Sequence, residues 1–276
     1  MAGGPKFADL VPRVLSALVL LAVAGAGLWF GGIVLALLLA VFGAVMLWEY
    51  FRLIIRLSTP YARIATVITS TLLALSLILE DRLTAGLEVL ALSPWAVGVL
   101  LITVVAVMIP VRKSRLEALF GAMIPLSTFL FFFLHQSVPL AMWLVVAVVI
   151  STDVSGYFFG KLIGGPKFWP SLSPNKTWAG TVSGWVMAAA IAIGAGLRAE
   201  SQTSTIVVAV LFLVTVAFAA QMADIAESAL KRRAGVKDSS RVIPGHGGAL
   251  DRFDGMLGAF TVAGLAFVLA GFTVTL

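Results

Sequence analysis

"VLSALVLLAVAGAGLWFGGIVLALLLAVFGAVMLWEY" runs from Val14 to Tyr50 and carries no charged residue before Glu49. A helix needs about twenty apolar residues to cross a hydrocarbon core of about 30 Å. The stretch is long enough for two crossings, 13–30 and 32–51, joined tightly at Phe30 to Gly32. Further apolar runs follow at 62–79, 94–111, 117–134, 139–160, 177–197, 205–228 and 254–275. No series of alternating ten-residue segments suggests a transmembrane barrel. In lipid every backbone polar group must be paired internally, so helices follow. The sequence predicts an all-α polytopic integral membrane protein of about nine transmembrane helices. Composition agrees: the chain is 61% hydrophobic and 12% charged, against about a quarter charged in soluble domains. Mean hydropathy is +1.08.

The charges predict an orientation. With the N-terminus in the cytoplasm, all of the 19 Lys and Arg except Arg82 and Arg198 fall on the cytoplasmic side, as the positive-inside rule requires. The basic surplus, net +6, therefore reads as a topology signal and not as a nucleic-acid surface. The first span shows no small-residue cleavage site clearly placed after a short apolar core, and reads as a retained helix. The chain has no cysteine, which excludes disulfides, thiolate metal sites and cysteine nucleophiles.

Polarity divides the chain unevenly. Residues 1–135 form an apolar scaffold, with Glu49 read as an interfacial residue beside Tyr50 and Arg52. Residues 136–276 hold two polar cytoplasmic connections, 161–176 and 229–253. There is no repeat between the halves, which weighs against an inverted-repeat transporter.

The acids of the second half gather around those connections: Asp153, Asp224, Glu227, Asp238, Asp251 and Asp254. An ionisable group within a span costs several kcal/mol unless something pairs with it. One such acid would read as an interhelical salt bridge; several point to a metal or phosphate site at the cytoplasmic interface. Asp224, Glu227, Ser228 and Lys231 follow i, i+3, i+4, i+7 spacing and share one helix face. Oxygen-only donors suit Mg²⁺, completed by substrate phosphates. Asp251 and Asp254 form a second i, i+3 pair at the predicted start of the last span, where a helix N-terminus favours anions.

Between these pairs lies "PGHGG", Pro244 to Gly248. Glycines let backbone N–H groups approach a phosphate closely, and Lys237, Arg241 and Arg252 flank the cluster. His246 either donates to a phosphate or ties down the loop. In the earlier connection, Ser173 reads as an N-cap with Pro174 at the first helical position. Lys176 and Thr177 would then sit in the first helical turn, where a lysine opposes the helix dipole and hints at an anionic ligand. Carboxylates, lysines, arginines and glycine loops indicate a polyphosphate substrate, and no GxxxxGK[ST] loop is present.

The segment "SALKRRAGVKDSSRVIPGHGGALDRFD", Ser228 to Asp254, resembles the signature of the phosphatidate cytidylyltransferase (CDP-diacylglycerol synthase) family. Ser228, Lys231, Arg232, Lys237, Asp238, Pro244, His246, Gly247, Gly248, Asp251, Arg252 and Asp254 fall on its fixed positions. "ADIAES" (223–228), "TDVSGYFFGK" (152–161) and "SPNKTWAG" (173–180) resemble three further family segments. Ala249 departs from a larger aliphatic residue. Ala179 departs from a glutamate, so no carboxylate role is carried there. The resemblance implies cytidylyl transfer from CTP to phosphatidic acid, Mg²⁺ dependence with a second divalent or monovalent ion left open, and a homodimer in the bacterial inner membrane. Lys231, Lys237, Asp251 and Arg252 are the expected catalytic residues. Lys176, Thr177, Ser228, Arg232, His246, Gly247 and Gly248 are expected to bind substrate. Asp224, Asp251 and Asp254 are expected to hold metal, supported by Asp153, Ser173, Glu227 and Asp238. A lipid kinase would use similar parts but move the γ-phosphoryl group. A CDP-alcohol phosphotransferase would show a D-G-x-x-A-R motif, which the chain lacks.

Overall fold

The computed structural model describes residues 10–84, 92–111, 114–245 and 247–274. Lys6, Arg112, Lys113 and His246 lie outside the described residues. Helices dominate: α1 (Leu10–Phe30), α2 (Gly32–Glu49), α3 (Thr59–Thr84), α4 (Pro94–Met108), α5 (Arg115–Ser137), α6 (Pro139–Leu162), α7 (Trp178–Arg198), α8 (Thr203–Ala234) and α9 (Leu250–Val274). Each corresponds to one predicted span. A π-helical turn, Tyr50–Ile54, extends α2. Seven of the helices are long and apolar enough to cross a membrane; Val14–Phe30 and Pro94–Met108 are shorter apolar segments. Their outward faces are apolar, with Trp29 86% and Leu140 70% exposed, as lipid-facing surfaces require.

The tight α1–α2 joint has a backbone cause. Gly31 and Gly32 take φ of 58° and 45°, a left-handed region that a side chain disfavours. Gly31 precedes the first residue of α2 and its carbonyl accepts Leu35 N–H at 3.0 Å.

The structure differs from expectation between α6 and α7. Lys167–Trp169 (β1) and Ser173–Thr177 (β2) form a two-stranded antiparallel sheet, pairing Lys167 with Thr177 and Trp169 with Ser173. Ser173 is therefore a strand residue and does not cap a helix. The cap is Thr177, whose Oγ1 accepts Gly180 N–H at 3.2 Å, and α7 begins at Trp178. Pro174 fits an edge strand, where its missing N–H costs no ladder bond.

The residues fall into two compact units. The first takes described residues within Met1–Leu87, Leu92–Pro125 and Arg233–Phe253; the second takes Leu126–Arg232 and Asp254–Leu276. In the first, α2 packs on α3 and α3 on α4. Leu35, Leu47, Tyr50, Phe51, Leu73, Leu77 and Phe120 are its buried core. Tyr50 lies so close to Gly121 that a Cβ there would meet the ring at 2.3 Å, and its hydroxyl donates to Glu117 O at 2.8 Å. In the second, α6 packs along α7, with Phe129, Phe132, Phe133, Met142, Val145, Val216 and Phe260 in the core.

Candidate active site

Glycine sets the α6–α7 approach. A Cβ on Gly180 would lie 2.5 Å from Gly156 O and 3.3 Å from Gly160 Cα. A Cβ on Gly184 would meet Thr152 and Gln221 at 2.7 and 2.8 Å. Small residues at such contacts let membrane helices approach backbone to backbone. Here they bring Asp153 of α6 beside the β2–α7 junction.

That junction walls a cavity of about 250 Å³ in the second unit, lined by Thr152, Asp153, Lys176, Thr177, Gln221 and Asp224 among others. Lys176 Nζ is ion-paired with Asp224, and both side chains keep about a quarter to a third of their surface exposed (26% and 31%). Asp153 lies within electrostatic reach of both. Lys176 is the penultimate residue of β2, so the strand places it and not a helical turn. Thr177 is buried and serves the cap; its hydroxyl faces Gly160, where a Cβ would come within 3.1 Å.

Gln221 and Thr152 line the cavity without being among the expected site residues. Gln221 is buried and bridges α8 to α7: it accepts Trp185 Nε1–H at 2.9 Å and donates to Thr181 O at 3.1 Å. The signal was available, since Gln221 is a lone amide in the apolar run "VAFAAQMA". Thr152, 3% exposed, has no hydrogen-bond partner for its hydroxyl among the described residues. It is the first residue of the "TDVSGYFFGK" segment, adjacent to Asp153.

The polar face of α8 forms as its spacing requires. Ser228 Oγ lies 3.5 Å from Asp224 Oδ1, and Lys231 pairs with Glu227 at 2.5 Å across one turn. Glu227 is 0% exposed, so a buried carboxylate and its lysine sit on this face. Asp254, where the chain re-enters the unit, accepts Gly255 N–H at 2.8 Å and is within electrostatic reach of Asp224 and Glu227. Arg232 is exposed.

The first unit holds Lys237, Asp238, Gly247, Gly248, Asp251 and Arg252. Lys237, Asp238 and Arg252 are exposed. Gly247 takes φ +86°, and its carbonyl accepts Ile243 N–H at 2.9 Å. Asp251 Oδ2 accepts Gly248 N–H at 2.8 Å, Ser239 N–H at 2.8 Å and Ser239 Oγ at 2.9 Å. The N–H of Gly248 is thus held by a protein carboxylate. Glu49 is not interfacial: it is 0% exposed and accepts hydrogen bonds from Ser239, Ser240, Ala249 and Leu250.

The donor set bears on a metal. Among the described residues no three His, Asp or Glu side chains group tightly enough to hold an ion by themselves. Asp153, Asp224 and Asp254 nonetheless offer hard carboxylate oxygens in one unit. That suits Mg²⁺, which binds through one or two carboxylates plus substrate phosphates.

Carboxylates and a lysine around one cavity of a helical membrane protein fit an enzyme that handles phosphorylated substrates. The chain belongs to the cytidylyltransferase family, whose pattern matches residues 11–270. It is 34% identical over 266 residues to a phosphatidate cytidylyltransferase of Brucella abortus, covering 91% of this chain and 90% of that protein. The phosphatidate cytidylyltransferase of Pseudomonas aeruginosa is 31% identical over 267 residues, covering 95% and 98%. That of Bacillus subtilis is 44% identical over 126 residues, 46% of each chain.

Proposed function

We propose that the chain transfers the cytidylyl group of CTP to phosphatidic acid, giving CDP-diacylglycerol and pyrophosphate at the cytoplasmic face of a bacterial membrane. The observation that carries this reading is the Ser228–Asp254 motif in a chain aligned with its relatives over nearly its whole length. A phosphate oxygen of the lipid attacks the α-phosphorus of CTP. The bond from that phosphorus to the α–β bridging oxygen breaks, and pyrophosphate leaves with the electron pair. The nucleophile is already an anion, so no strong base is needed; charge neutralisation and alignment carry the rate.

In this reading Lys176 meets the triphosphate. Its ammonium is held by Asp224 and partly open to the cavity, so an incoming phosphate oxygen can take it over without moving β2. Asp153, Asp224 and Asp254 are the residues that would hold Mg²⁺. When bound, that ion neutralises phosphate oxygens and stabilises the leaving group. Lys231 keeps the buried Glu227 compensated and fixes the end of the α8 face. Lys237 and Arg252 are exposed basic residues of the first unit, suited to the phosphate charge that develops during transfer. Asp251 acts by ordering the loop that it closes through Ser239 and Gly248.

The test uses detergent-solubilised protein, phosphatidic acid and CTP labelled either in the cytosine or at the γ-phosphate. Cytosine label should enter the lipid and γ-label should not; the reverse would mean a lipid kinase. Asp224→Asn should abolish incorporation with the fold intact. Near-normal turnover would remove Asp224 from the site.

A further inference from the structure

We infer that Glu49 is a positioning residue for the transfer reaction, acting through the 239–251 loop and Asp251; this rests on the cytidylyltransferase reading above. Glu49 ends α2 and is separated by about 190 residues from the groups that it binds. Its Oε1 accepts Ala249 N–H at 3.0 Å and the Ser240 hydroxyl. Its Oε2 accepts Leu250 N–H at 2.8 Å and the Ser239 hydroxyl at 3.2 Å. Leu250 is the first residue of α9, so a carboxylate from another helix caps it, where a negative charge is favoured.

Asp251 completes a clamp. Ser239 is shared, its hydroxyl 3.2 Å from Glu49 Oε2 and 2.9 Å from Asp251 Oδ2. The two carboxylates bind Ser239–Ser240 at one end of the loop and Gly248–Leu250 at the other. Residues 241–245 and Gly247 lie between these two ends. Gly248 is needed by this clamp: a Cβ there would lie 1.9 Å from Ser239 Oγ and 2.5 Å from Glu49 Oε1. A residue that merely filled space at position 49 would leave buried Ala249 and Leu250 N–H groups without acceptors. Three donors point at Glu49, the Ala249 and Leu250 N–H groups and the Ser240 hydroxyl, with the Ser239 proton shared with Asp251, and a carboxylate has acceptor oxygens for all of them. Lys237 and Asp238 precede the clamp and Arg252 follows it, so their placement depends on Glu49.

Glu49→Gln in the full-length protein tests this. Glutamine has one acceptor oxygen, and its NH₂ must face Ala249 N–H or Leu250 N–H, donor against donor. Expected are a kcat lowered by about tenfold or more with KM for CTP changed by less than about threefold. Amide-exchange protection should be lost in peptides from 239–251 and kept in α3, α6 and α7. Ser240→Ala should lower kcat modestly alone and add nothing in the Glu49→Gln background. Normal kcat in Glu49→Gln overturns the inference, as does a loss of protection spread equally over all helices. Loop protection lost with normal turnover also overturns it, by removing the loop from the machinery while cytidylyl transfer stands. If the unmodified protein transfers no cytidylyl group, the functional reading fails, and the exchange measurement still reports whether the clamp exists.

Discussion

Gly180→Ala is a small change with a large expected effect. The new Cβ would stand 2.5 Å from Gly156 O and 3.3 Å from Gly156 C and Gly160 Cα, all backbone atoms. Carbon–oxygen contacts normally settle at about 3.3–3.6 Å, so α7 must move from α6 by about 1 Å. Overpacking of this kind costs about 1–3 kcal/mol. The shift falls where it matters: Gly180 N–H is the group capped by Thr177, next to Lys176, and Gly156 is one turn from Asp153. A misplacement of about 1 Å can cost about 100-fold in rate. Turnover with labelled CTP should therefore fall by one to two orders of magnitude, with thermal stability in detergent visibly reduced. Gly194→Ala is the control, on the same helix with nothing within 4 Å of its Cβ, and should be neutral or stabilising. Gly180→Ala with unchanged turnover and stability would refute the close α6–α7 contact as the element that sets the cavity.

Lys176→Met should raise the KM for CTP at least about tenfold, because a charge-assisted contact to phosphate contributes about 1.5–3 kcal/mol; steady-state kinetics against CTP decides it. Lys231→Met leaves fully buried Glu227 without its lysine and should destabilise by about 3–5 kcal/mol. The double change with Glu227→Gln should recover much of that in a detergent melting assay. Thr177→Val removes the α7 cap and should cost about 1 kcal/mol, with protease cutting near the β2–α7 junction as a second measure.

The helices were legible because each is a long run of apolar residues without strand alternation, and a helix pairs its backbone groups within such a run. The Phe30–Gly32 joint was legible because two glycines interrupt a run too long for one span. The face on α8 followed from spacing alone, since Asp224, Glu227, Ser228 and Lys231 need only one helix to align. The hairpin was not legible. Ser173 and Pro174 carry the signature of a helix start, and strands of three and five residues are too short to show alternation. Only the fold reveals that Thr177 captures Gly180 N–H. Glu49 was misread for a different reason. Its partners are serines and backbone amides about 190 residues away, and a carboxylate that binds amides has no oppositely charged residue to announce it. The glycines near His246 suggested a phosphate, and the same N–H chemistry proves to serve protein carboxylates at Gly248, Ala249 and Leu250.

Helix α8 has 32 residues, a length of about 48 Å at about 1.5 Å per residue, against a hydrocarbon core of about 30 Å. More than ten residues must overshoot or be taken up by tilt. The last twelve residues of α8, 223–234, hold Asp224, Glu227 and Lys231. How deep those charges lie is thus set by bilayer thickness as well as by sequence, and mismatch is answered by tilting. An enzyme built this way has its working depth gauged by the acyl-chain length of the membrane whose lipids it helps to make.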